Sequence, residues 1–353
     1  MSRKPLVSIV IPHLKGEEIL KECLQSLERT NYPEMEVIVV DNGSTDASIA
    51  YVQDIFPWIK VVENSKNLGY AGGCNAGVAE SRGKYVLFLN DDTVTLDSNW
   101  LDKLVDTCEN NPKVAACQPK LLSLVNRDEF DYAGAAGGLM DVFGFPFALG
   151  RIFFTIEKDQ HQYDQASNIF WASGTAMFVK KSILEQVGNF DEDFFAHMEE
   201  IDLSWRIHLT GQDVVSVPDA VVYHKAGSTL RTESYLKVYL NHRNGLVMLL
   251  KNYEWKNLLW IFPLRLLFEF VAVIYSLIKL DFVRIRAVFV ALGYVGFHLN
   301  KILAKRRRVQ KNRKLSDAQI FSKFYRGSIV FDYFVKGRRS CTELLGLTLV
   351  KPR

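Results

Sequence analysis

The stretch "LFLNDDT", residues 87–93, decides how the chain folds, because an apolar run ends there in three polar side chains. Residues 85–89 are all aliphatic or aromatic, as expected for a strand buried on both faces. Asn90, Asp91 and Asp92 follow directly. Two carboxylates ~5 Å apart repel by about 3 kcal/mol at an effective dielectric of ~20. Their position therefore predicts a partner that offsets the repulsion.

Similar patterns on either side of this stretch predict an alternation of strands and helices. Apolar runs at 6–12, 35–41 and 59–64 are typical of buried strands. Residues 17–27 carry an apolar helical stripe, and the glycine-rich residues 69–83 predict a turn that enters a second helix. Buried strands that alternate with amphipathic helices favour an α/β fold with an open, mostly parallel sheet.

Three of the predicted strands end in polar or kinked residues, namely at Pro12, at residues 41–44 and at residues 90–92. Because the carboxyl ends of parallel strands meet at one edge, we expect these residues to share a crevice. Mg²⁺ and Mn²⁺ both prefer carboxylate and phosphate oxygens. The sequence therefore predicts a divalent metal beside a phosphate-bearing ligand. The alternative is that the two acids face water and cap the next helix.

The segment "NLGYAGGCNAG", residues 67–77, places glycines before a predicted helix. Such a turn can bring backbone N–H groups and a helix N-terminus to a phosphate. Tight packing of the helix is an equally good reason for the glycines, so this segment alone does not decide between the two.

The segment "HMEEIDLSWR", residues 197–206, places three acids at a predicted helix start, where the helix dipole favours them. Asp202 and Arg206 are i,i+4 partners, which predicts a structural ion pair. Glu199 shares a face with Asp202. Glu200 has no partner in the pattern, and an acid of this kind beside a cleft is a candidate general base.

The middle of the chain is less regular. Residues 115–170 show no clear periodicity, and residues 131–150, rich in glycine and aromatics, are interpreted as loops that line the cleft. Residues 174–188 predict a strand followed by a helix. Residues 213–224 predict a hairpin or paired short strands that end at His224. This histidine is either a polar residue that simply ends the strand or a metal ligand.

Charge divides the 353-residue chain into two parts, although the net charge is only +3. Residues 1–255 hold 23 Lys/Arg and 35 Asp/Glu, a net charge of −12, whereas residues 256–353 hold 20 and 5, a net charge of +15. The acidic part argues against a nucleic-acid partner. The five cysteines are scattered without disulfide or zinc spacing, which favours a reducing, cytoplasmic setting.

The basic part begins with apolar segments. Residues 257–280 are strongly apolar but include Arg265 and Glu269, and residues 287–299 are uncharged for only 13 positions. A membrane span needs about 20 apolar residues, and a central charge costs roughly 2.5–3.5 kcal/mol. Helices that lie in the membrane interface therefore fit better than spans. Residues 301–314 contain eight Lys/Arg, which suits anionic lipid head groups.

We therefore expect a peripheral protein on the inner face of the cell membrane, in contact with the membrane surface through residues 257–314. The alternative for this region is a soluble helical cap with a solvated basic face.

Six segments occur in the order and spacing of family 2 glycosyltransferases: VSIVIP, VDNGSTD, NLGYAGGCNAG, LFLNDDT, GNFDEDFFAHMEEIDLSWR and VPDAVVYH. Over about residues 5–250 the chain resembles the bacterial rhamnosyltransferase-like branch. The resemblance implies a GT-A domain at residues 1–250, an inverting mechanism and a nucleotide-diphosphate sugar donor. Residues 251–353 would then form a helical, apolar and basic region that associates with the membrane.

The resemblance also implies roles for individual residues. It implies nucleotide-sugar contacts from Pro12, Asp41, Gly69, Asn75, Asn90 and Asp91, a metal site at Asp92 and His224, a catalytic base at Glu200 with Glu199 as backup, and acceptor-side contacts from Trp171 and Asp191. Asn90 replaces the first acid of the family's D-x-D signature, which leaves one charged metal ligand fewer. Glu200 stands where the family has aspartate and is one methylene longer.

The implied activity is transfer of a sugar, with rhamnose as one candidate, to a saccharide or polyprenyl-linked saccharide acceptor in cell-surface polysaccharide synthesis. A sugar nucleotidyltransferase is an alternative, but it would need a basic, glycine-rich first loop, and residues 12–18 contain one lysine and no G-x-G run. A second alternative is a non-catalytic membrane-bound scaffold, which the presence of all the acids disfavours.

Overall fold

The computed structural model describes residues 4–225 and 234–346, and these residues form thirteen strands in two sheets. The strands are β1 (Val7–His13), β2 (Met35–Asp41), β3 (Lys60–Glu63), β4 (Tyr85–Leu89), β5 (Thr93–Val94), β6 (Val114–Ser123), β7 (Gly138–Met140), β8 (Pro146–Ala148), β9 (Arg151–Ile152), β10 (Thr155–Ile156), β11 (Asn168–Ile169), β12 (Ala176–Lys180) and β13 (Asp213–His224).

The helices of the same described residues number thirteen, with short 3₁₀ turns at Glu192–Phe194 and Phe321–Lys323. They are α1 (Glu17–Glu28), α2 (Ser48–Ile55), α3 (Gly69–Glu80), α4 (Trp100–Asn110), α5 (Lys181–Val187), α6 (Glu199–Leu209), α7 (Tyr235–Asn252), α8 (Trp255–Ile278), α9 (Phe282–Phe297), α10 (Leu299–Asn312), α11 (Asp317–Ile320), α12 (Ile329–Phe334) and α13 (Cys341–Leu345).

The larger sheet has the order β11-β13-β6-β12-β4-β1-β2-β3, with β5 paired to β13. Strands β3, β2, β1 and β4 are mutually parallel, and helices cross between them, which confirms the α/β fold expected from the first ninety residues. Strand β12 runs antiparallel between β4 and β6, so the complete sheet is mixed.

Both faces of the central strands are buried because their side chains alternate between two apolar cores. Ile9 and Ile11 pack on one face together with Trp100 of α4. Val10 and Phe88 pack on the other face, in a core that extends to α3, α6 and α7. This two-sided burial explains why these strands read as continuous apolar runs in the sequence.

Two predictions for the middle of the chain are wrong. Residues 213–224 form one long strand, β13, and not a hairpin or two paired strands. Its register with β6 shifts between Val217 and Val221, and this irregularity interrupts the strand pattern in the sequence. Residues 131–150 are not only loops, since β7 and β8 form an antiparallel sheet with β9 and β10. These strands have two or three residues each, which is too short for a detectable periodicity.

The C-terminal helices pack on the sheet domain. Helix α7 lies against α9 and α10, and the chain then returns to the smaller sheet, where Tyr325 N–H donates to the carbonyl of Met140 at 2.9 Å. Cys341 N–H likewise donates to Glu157 Oε1 at 2.7 Å. The domain boundary near residue 250 stays a prediction, and it falls close to the end of α7.

Helix α8 is long and apolar enough to cross a membrane by length and composition, and α9 with α10 passes the same test as a pair bent by 71°. Two of the three charges in α8, those of Arg265 and Glu269, are buried against the protein, whereas Lys256 at the helix start is exposed. Arg265 Nε donates to Glu269 Oε1 at 3.0 Å, and the Arg265 guanidinium lies 3.7 Å from the ring centroid of Phe145. The opposite face of α8 is apolar and exposed to solvent.

Candidate active site

The carboxyl ends of four parallel strands meet at one edge of the sheet, as the sequence predicts for β1, β2 and β4. Backbone hydrogen bonds connect them: Asn42 N–H donates to the His13 carbonyl, and Asn64 N–H donates to the Asp41 carbonyl, each at 2.8 Å. Pro12 lies one residue before this edge, with Gly73 of α3 beside it.

Asp41 lies at the end of β2 and is partly exposed. Its Oδ1 accepts hydrogen bonds from the N–H groups of Gly43 (3.1 Å) and Ser44 (2.7 Å), which orient the carboxylate at the start of the next loop. The following residue, Asn42, belongs to the polar strand end predicted from the sequence, which gave it no individual role. It is buried, donates to the Gly69 carbonyl at 2.9 Å and accepts from Leu68 N–H at 3.1 Å, so it connects β2 to the glycine-rich turn.

Asp91 and Asp92 each have a histidine partner, which answers the question raised by their repulsion. Asp91 Oδ2 lies 2.7 Å from Nδ1 of buried His13, whose Nε2 lies 2.8 Å from Ser48 Oγ. Burial raises the pKa of Asp91, and the hydrogen bond and charge of His13 partly offset that rise. Asp91 is therefore directed toward β1 and α2, and neither His13 nor Ser48 was predicted from the sequence.

Asp92 and His224, which the resemblance implies as metal ligands, form a buried pair with Asp92 Oδ1 2.9 Å from His224 Nε2, and the metal role itself stays a prediction. On the other side of the ring, His224 Nδ1 lies 2.9 Å from Asp131 Oδ1, a buried contact that the sequence did not indicate. Burial would lower the pKa of His224, but the charges and hydrogen bonds of Asp131 and Asp92 outweigh it and raise the pKa to about 10. Asn90 Nδ2 is 3.3 Å from the same Nε2 atom.

The two glutamates at the start of α6 differ in exposure. Glu199 is only 4% exposed, whereas Glu200 is partly exposed at the helix N-terminus. Within residues 4–225 and 234–346, Oε2 of each is buried without a hydrogen-bond partner. Burial raises the pKa of Glu200 to about 7, although backbone N–H groups oppose this, and burial next to Glu200 raises the pKa of Glu199 well above its usual range. Glu200 therefore titrates near neutral pH, as a general base requires.

Asp202 has the structural role predicted for it. Its carboxylate accepts from Arg206 Nε at 2.8 Å, from Lys251 Nζ at 3.0 Å and from Asn252 Nδ2 at 2.9 Å. These bonds fix α6 against α7, which leaves the two glutamates as the available acids of the segment.

Gly69 and Asn75 contact the loop that precedes α6. Gly69 has a φ of +73°, and a Cβ at this position would overlap the Phe195 carbonyl oxygen, so only glycine is accommodated. Asn75 Nδ2 donates to the Phe190 carbonyl at 2.9 Å, and Asn75 Oδ1 accepts from Phe190 N–H at 3.1 Å. Direct nucleotide contacts of both residues stay predictions, and the contacts seen here position the loop.

Trp171 and Asp191, predicted on the acceptor side, are both engaged in contacts within the protein. Trp171 is 3% exposed, and its Nε1 donates to the Leu139 carbonyl at 2.8 Å. Asp191 pairs with Lys251 at 2.6 Å and with Lys305. Their acceptor contacts stay predictions.

A second group of metal-ligating side chains lies on a surface loop. Ligand atoms of Asp159, His161 and Asp164 lie within 4.8 Å of one another, an arrangement that could hold a metal ion. Lys120 already forms ion pairs with both aspartates, one of them at 2.9 Å.

The fold is that of nucleotide-sugar transferases of the GT-A type. The chain superposes on GalNAc-T7 with UDP, GalNAc and Mn²⁺ at a TM-score of 0.56 and 14% identity, over 70% of this chain and 48% of that one. It superposes on mannosyltransferase PcManGT from Pyrobaculum calidifontis, in complex with GDP-Man and Mn²⁺, at a TM-score of 0.50 and 15% identity, over 88% and 86% of the two chains. The predicted GT-A fold with a C-terminal helical region is confirmed, and membrane association of that region stays a prediction.

The chain belongs to glycosyl transferase family 2, whose sequence profile matches residues 8–188. The N-acetylglucosaminyl-diphospho-decaprenol L-rhamnosyltransferase of Mycobacterium tuberculosis is 30% identical over 266 residues, which cover 70% of this chain and 83% of the relative. The uncharacterized protein y4gI of Sinorhizobium fredii is 29% identical over 232 residues, and the chain spans only 25% of its length. The family predicted from the sequence is thus confirmed.

Proposed function

We propose that the protein is an inverting glycosyltransferase that moves a sugar from a nucleotide-diphosphate donor to a saccharide or polyprenyl-linked saccharide in polysaccharide synthesis. The observation that carries the proposal is the arrangement at one edge of the sheet in this family 2 member. Asp41 ends β2, Asp92 follows β4, and His224 ends β13, beside β5. The mycobacterial relative named above supports rhamnose as a donor sugar and a lipid-linked diphosphate saccharide as acceptor.

In the proposed mechanism, Glu200 accepts the proton of an acceptor hydroxyl while that oxygen attacks the anomeric carbon opposite the leaving diphosphate. Oε2 of Glu200 is buried and has no hydrogen-bond partner in the described part of the chain, so its carboxylate is poorly solvated and basic. Glu199 is more deeply buried, and its burial next to Glu200 raises its pKa well above the usual range, so it is the backup candidate.

Asp92 and His224 are the proposed metal ligands. Their facing atoms are a carboxylate oxygen and an imidazole nitrogen 2.9 Å apart, and Mn²⁺ or Mg²⁺ would take the place of the proton that the raised pKa of His224 keeps on Nε2. Asp131 holds the other ring nitrogen of His224, as carboxylates commonly do for metal-binding histidines. A bound divalent cation supplies electrostatic stabilisation of the charge that develops on the leaving diphosphate. Asp41 and Pro12 are proposed to contact the nucleotide.

A panel of nucleotide sugars tests the proposal directly. Thermal unfolding with each donor, with and without Mn²⁺, is expected to reveal one donor that protects the protein in a metal-dependent manner. The same donor should be transferred to a polyprenyl-diphosphate saccharide or slowly hydrolysed. A sugar nucleotidyltransferase would instead need a nucleoside triphosphate and a sugar phosphate, and a non-catalytic scaffold would give neither transfer nor hydrolysis.

The rate of transfer is expected to depend on pH with an acid limb near pH 7. Burial raises the pKa of Glu200 to about 7, and only the deprotonated carboxylate accepts a proton. Below this pH, kcat should fall about tenfold per pH unit, with an apparent pKa that belongs to the Glu199–Glu200 pair. A pH–rate profile at saturating donor measures this, and a limb near pH 4.5 would contradict the role of a buried base.

We also propose that the protein is cytoplasmic and binds the inner membrane surface through residues 257–314. The outward face of α8 and α9 is apolar: Leu259, Leu267, Phe270, Ile278, Phe282 and Phe297 are each more than half exposed. Exposed Arg307, Arg308 and Lys311 on α10 follow this face and suit anionic head groups. Such an apolar area is far larger than isolated surface residues explain.

Phe270→Glu is expected to weaken binding to vesicles that contain anionic phospholipid by about 10–100-fold, because burial of a phenylalanine side chain contributes about 1.5–3 kcal/mol. Val125→Glu is the matched control, since Val125 is 76% exposed but lies on the sheet domain between β6 and β7. Vesicle co-sedimentation measures both variants. Equal binding of the two would contradict the membrane role of α8.

A further inference from the structure

The loop that leads into α6 is strained. Phe195, His197 and Met198 have φ values of 64°, 65° and 70°, in the left-handed region that side chains other than glycine rarely adopt. Conformations of this kind cost on the order of 1–3 kcal/mol each and persist only where the surroundings hold them. The loop ends at the glutamate pair, so whatever holds the loop also sets the position of Glu200.

Asn244 of α7 provides much of this support. It is 1% exposed, and its Nδ2 lies within hydrogen-bond distance of three loop carbonyls, those of Phe194 (3.0 Å), Ala196 (3.0 Å) and His197 (2.7 Å). Two of these carbonyls lie within the strained residues 195–198, and the third, that of Phe194, directly precedes them. The amide thus recognises the unusual backbone conformation itself, because a relaxed loop would turn these carbonyls away.

Arg243 fixes the orientation of that amide. Its Nε donates to Asn244 Oδ1 at 2.8 Å, so the NH₂ group of Asn244 must face the loop. The same guanidinium donates to the carbonyls of Asp193 at 2.6 Å and Phe194 at 2.9 Å. Arg243 is itself buried between the rings of Tyr239 and Tyr294. The two α7 residues therefore form one hydrogen-bonded unit directed at the loop.

We infer that Asn244 and Arg243 are positioning residues for glycosyl transfer, which hold the 195–198 loop in the conformation that presents Glu200 to the acceptor. The inference rests on the proposed function. Neither side chain touches Glu200, and both act through the backbone of the loop. A displacement of the base by about 1 Å is enough to lower turnover on the order of 10²-fold.

Asn244→Ala tests the inference, with Asn241→Ala as the matched control. Asn241 lies one turn earlier on α7, and among residues 4–225 and 234–346 its amide donates to the Lys237 carbonyl of the same helix, at 2.9 Å. Asn244→Ala is expected to lower kcat by about 10–100-fold, to leave the donor Kd within twofold and to displace the acid limb of the pH–rate profile. Asn241→Ala should resemble the unmodified protein in all three measurements.

Amide hydrogen exchange of residues 195–202 gives a readout that is independent of turnover. Faster exchange in Asn244→Ala and unchanged exchange in Asn241→Ala would support the inference. A folded Asn244→Ala protein with unchanged kcat, pH profile and exchange would overturn it. If Asn244→Ala does not fold, Arg243→Gln is judged by the same criteria. Absence of transfer by the unmodified protein would count against the proposed function, whereas the exchange result would still decide the loop inference.

Discussion

Glu200→Gln is expected to lower kcat by about 10²–10⁴-fold, the range typical of a lost general base, while the donor still binds. This corresponds to about 3–5 kcal/mol in the activation barrier. Glutamine keeps the size of the side chain and removes its ability to accept a proton. Single-turnover transfer and donor titration by calorimetry separate the two effects, because the substitution lies at the start of α6 and not at the strand edge proposed to hold the nucleotide.

Glu199→Gln is the matched control for that substitution. Glu199 is 4% exposed, and burial next to Glu200 raises its pKa well above the usual range and favours its neutral form, so its replacement by a neutral amide should change kcat far less. Near-normal turnover in Glu200→Gln would rule out Glu200 as the base. A larger loss in Glu199→Gln would transfer the role to the neighbouring acid.

Glu200→Gln should also change the free energy of unfolding, in a direction that depends on pH. Because the folded-state pKa of Glu200 is raised from 4.5 to about 7, the folded protein binds more protons than the unfolded chain between these values. Stability contributed by the protonated carboxyl is therefore lost as the pH rises through this window. Glu200→Gln should be more stable than the unmodified protein at about pH 8 and similar to it at about pH 4, as thermal unfolding at both pH values would reveal.

The parallel half of the sheet could be predicted because its strands are buried on both faces and therefore appear as uninterrupted apolar runs. The strand β6 was missed because Gln118, Pro119 and Lys120 interrupt its apolar pattern, although Gln118 and Lys120 are buried. Gln118 Oε1 accepts from Ser173 N–H at 2.8 Å, and Lys120 pairs with Asp159. Tertiary partners of this kind, and not local pattern, determine whether such polar residues can lie in a strand.

The candidate site was only partly predictable for the same reason. The resemblance points to Asp92 and His224, but Asp131 contacts His224 across 93 residues of sequence, and no spacing rule connects them. Asn244 is likewise separated from the His197 carbonyl by 47 residues and stands in the sequence within the polar run 241–244, where nothing distinguishes it from its neighbours. Hydrogen bonds that fix a site depend on the direction of individual atoms, which periodicity does not encode.

Asp92→Asn is expected to abolish metal-dependent donor binding and to lower transfer by about 10²–10³-fold, the loss typical of removing one group that stabilises transition-state charge. Asparagine preserves the shape of the side chain, and Asp131 still holds His224 at 2.9 Å, so the fold around the pair should survive. Only the negative charge that faces His224 Nε2 is lost. Transfer rates measured against Mn²⁺ concentration report the effect on the reaction.

Binding of Mn²⁺ in the presence of a nucleoside diphosphate, followed by electron paramagnetic resonance, reports the effect on the metal without any turnover. Asp164→Asn is the matched control, because Asp164 belongs to the second group of metal-ligating side chains, on the surface loop. That variant should bind Mn²⁺ like the unmodified protein, since Lys120 already forms ion pairs with both aspartates of that loop. If Asp164→Asn loses Mn²⁺ and Asp92→Asn retains it, the metal belongs to the surface loop. The two acids at the end of β4 would then be balanced by their histidines alone.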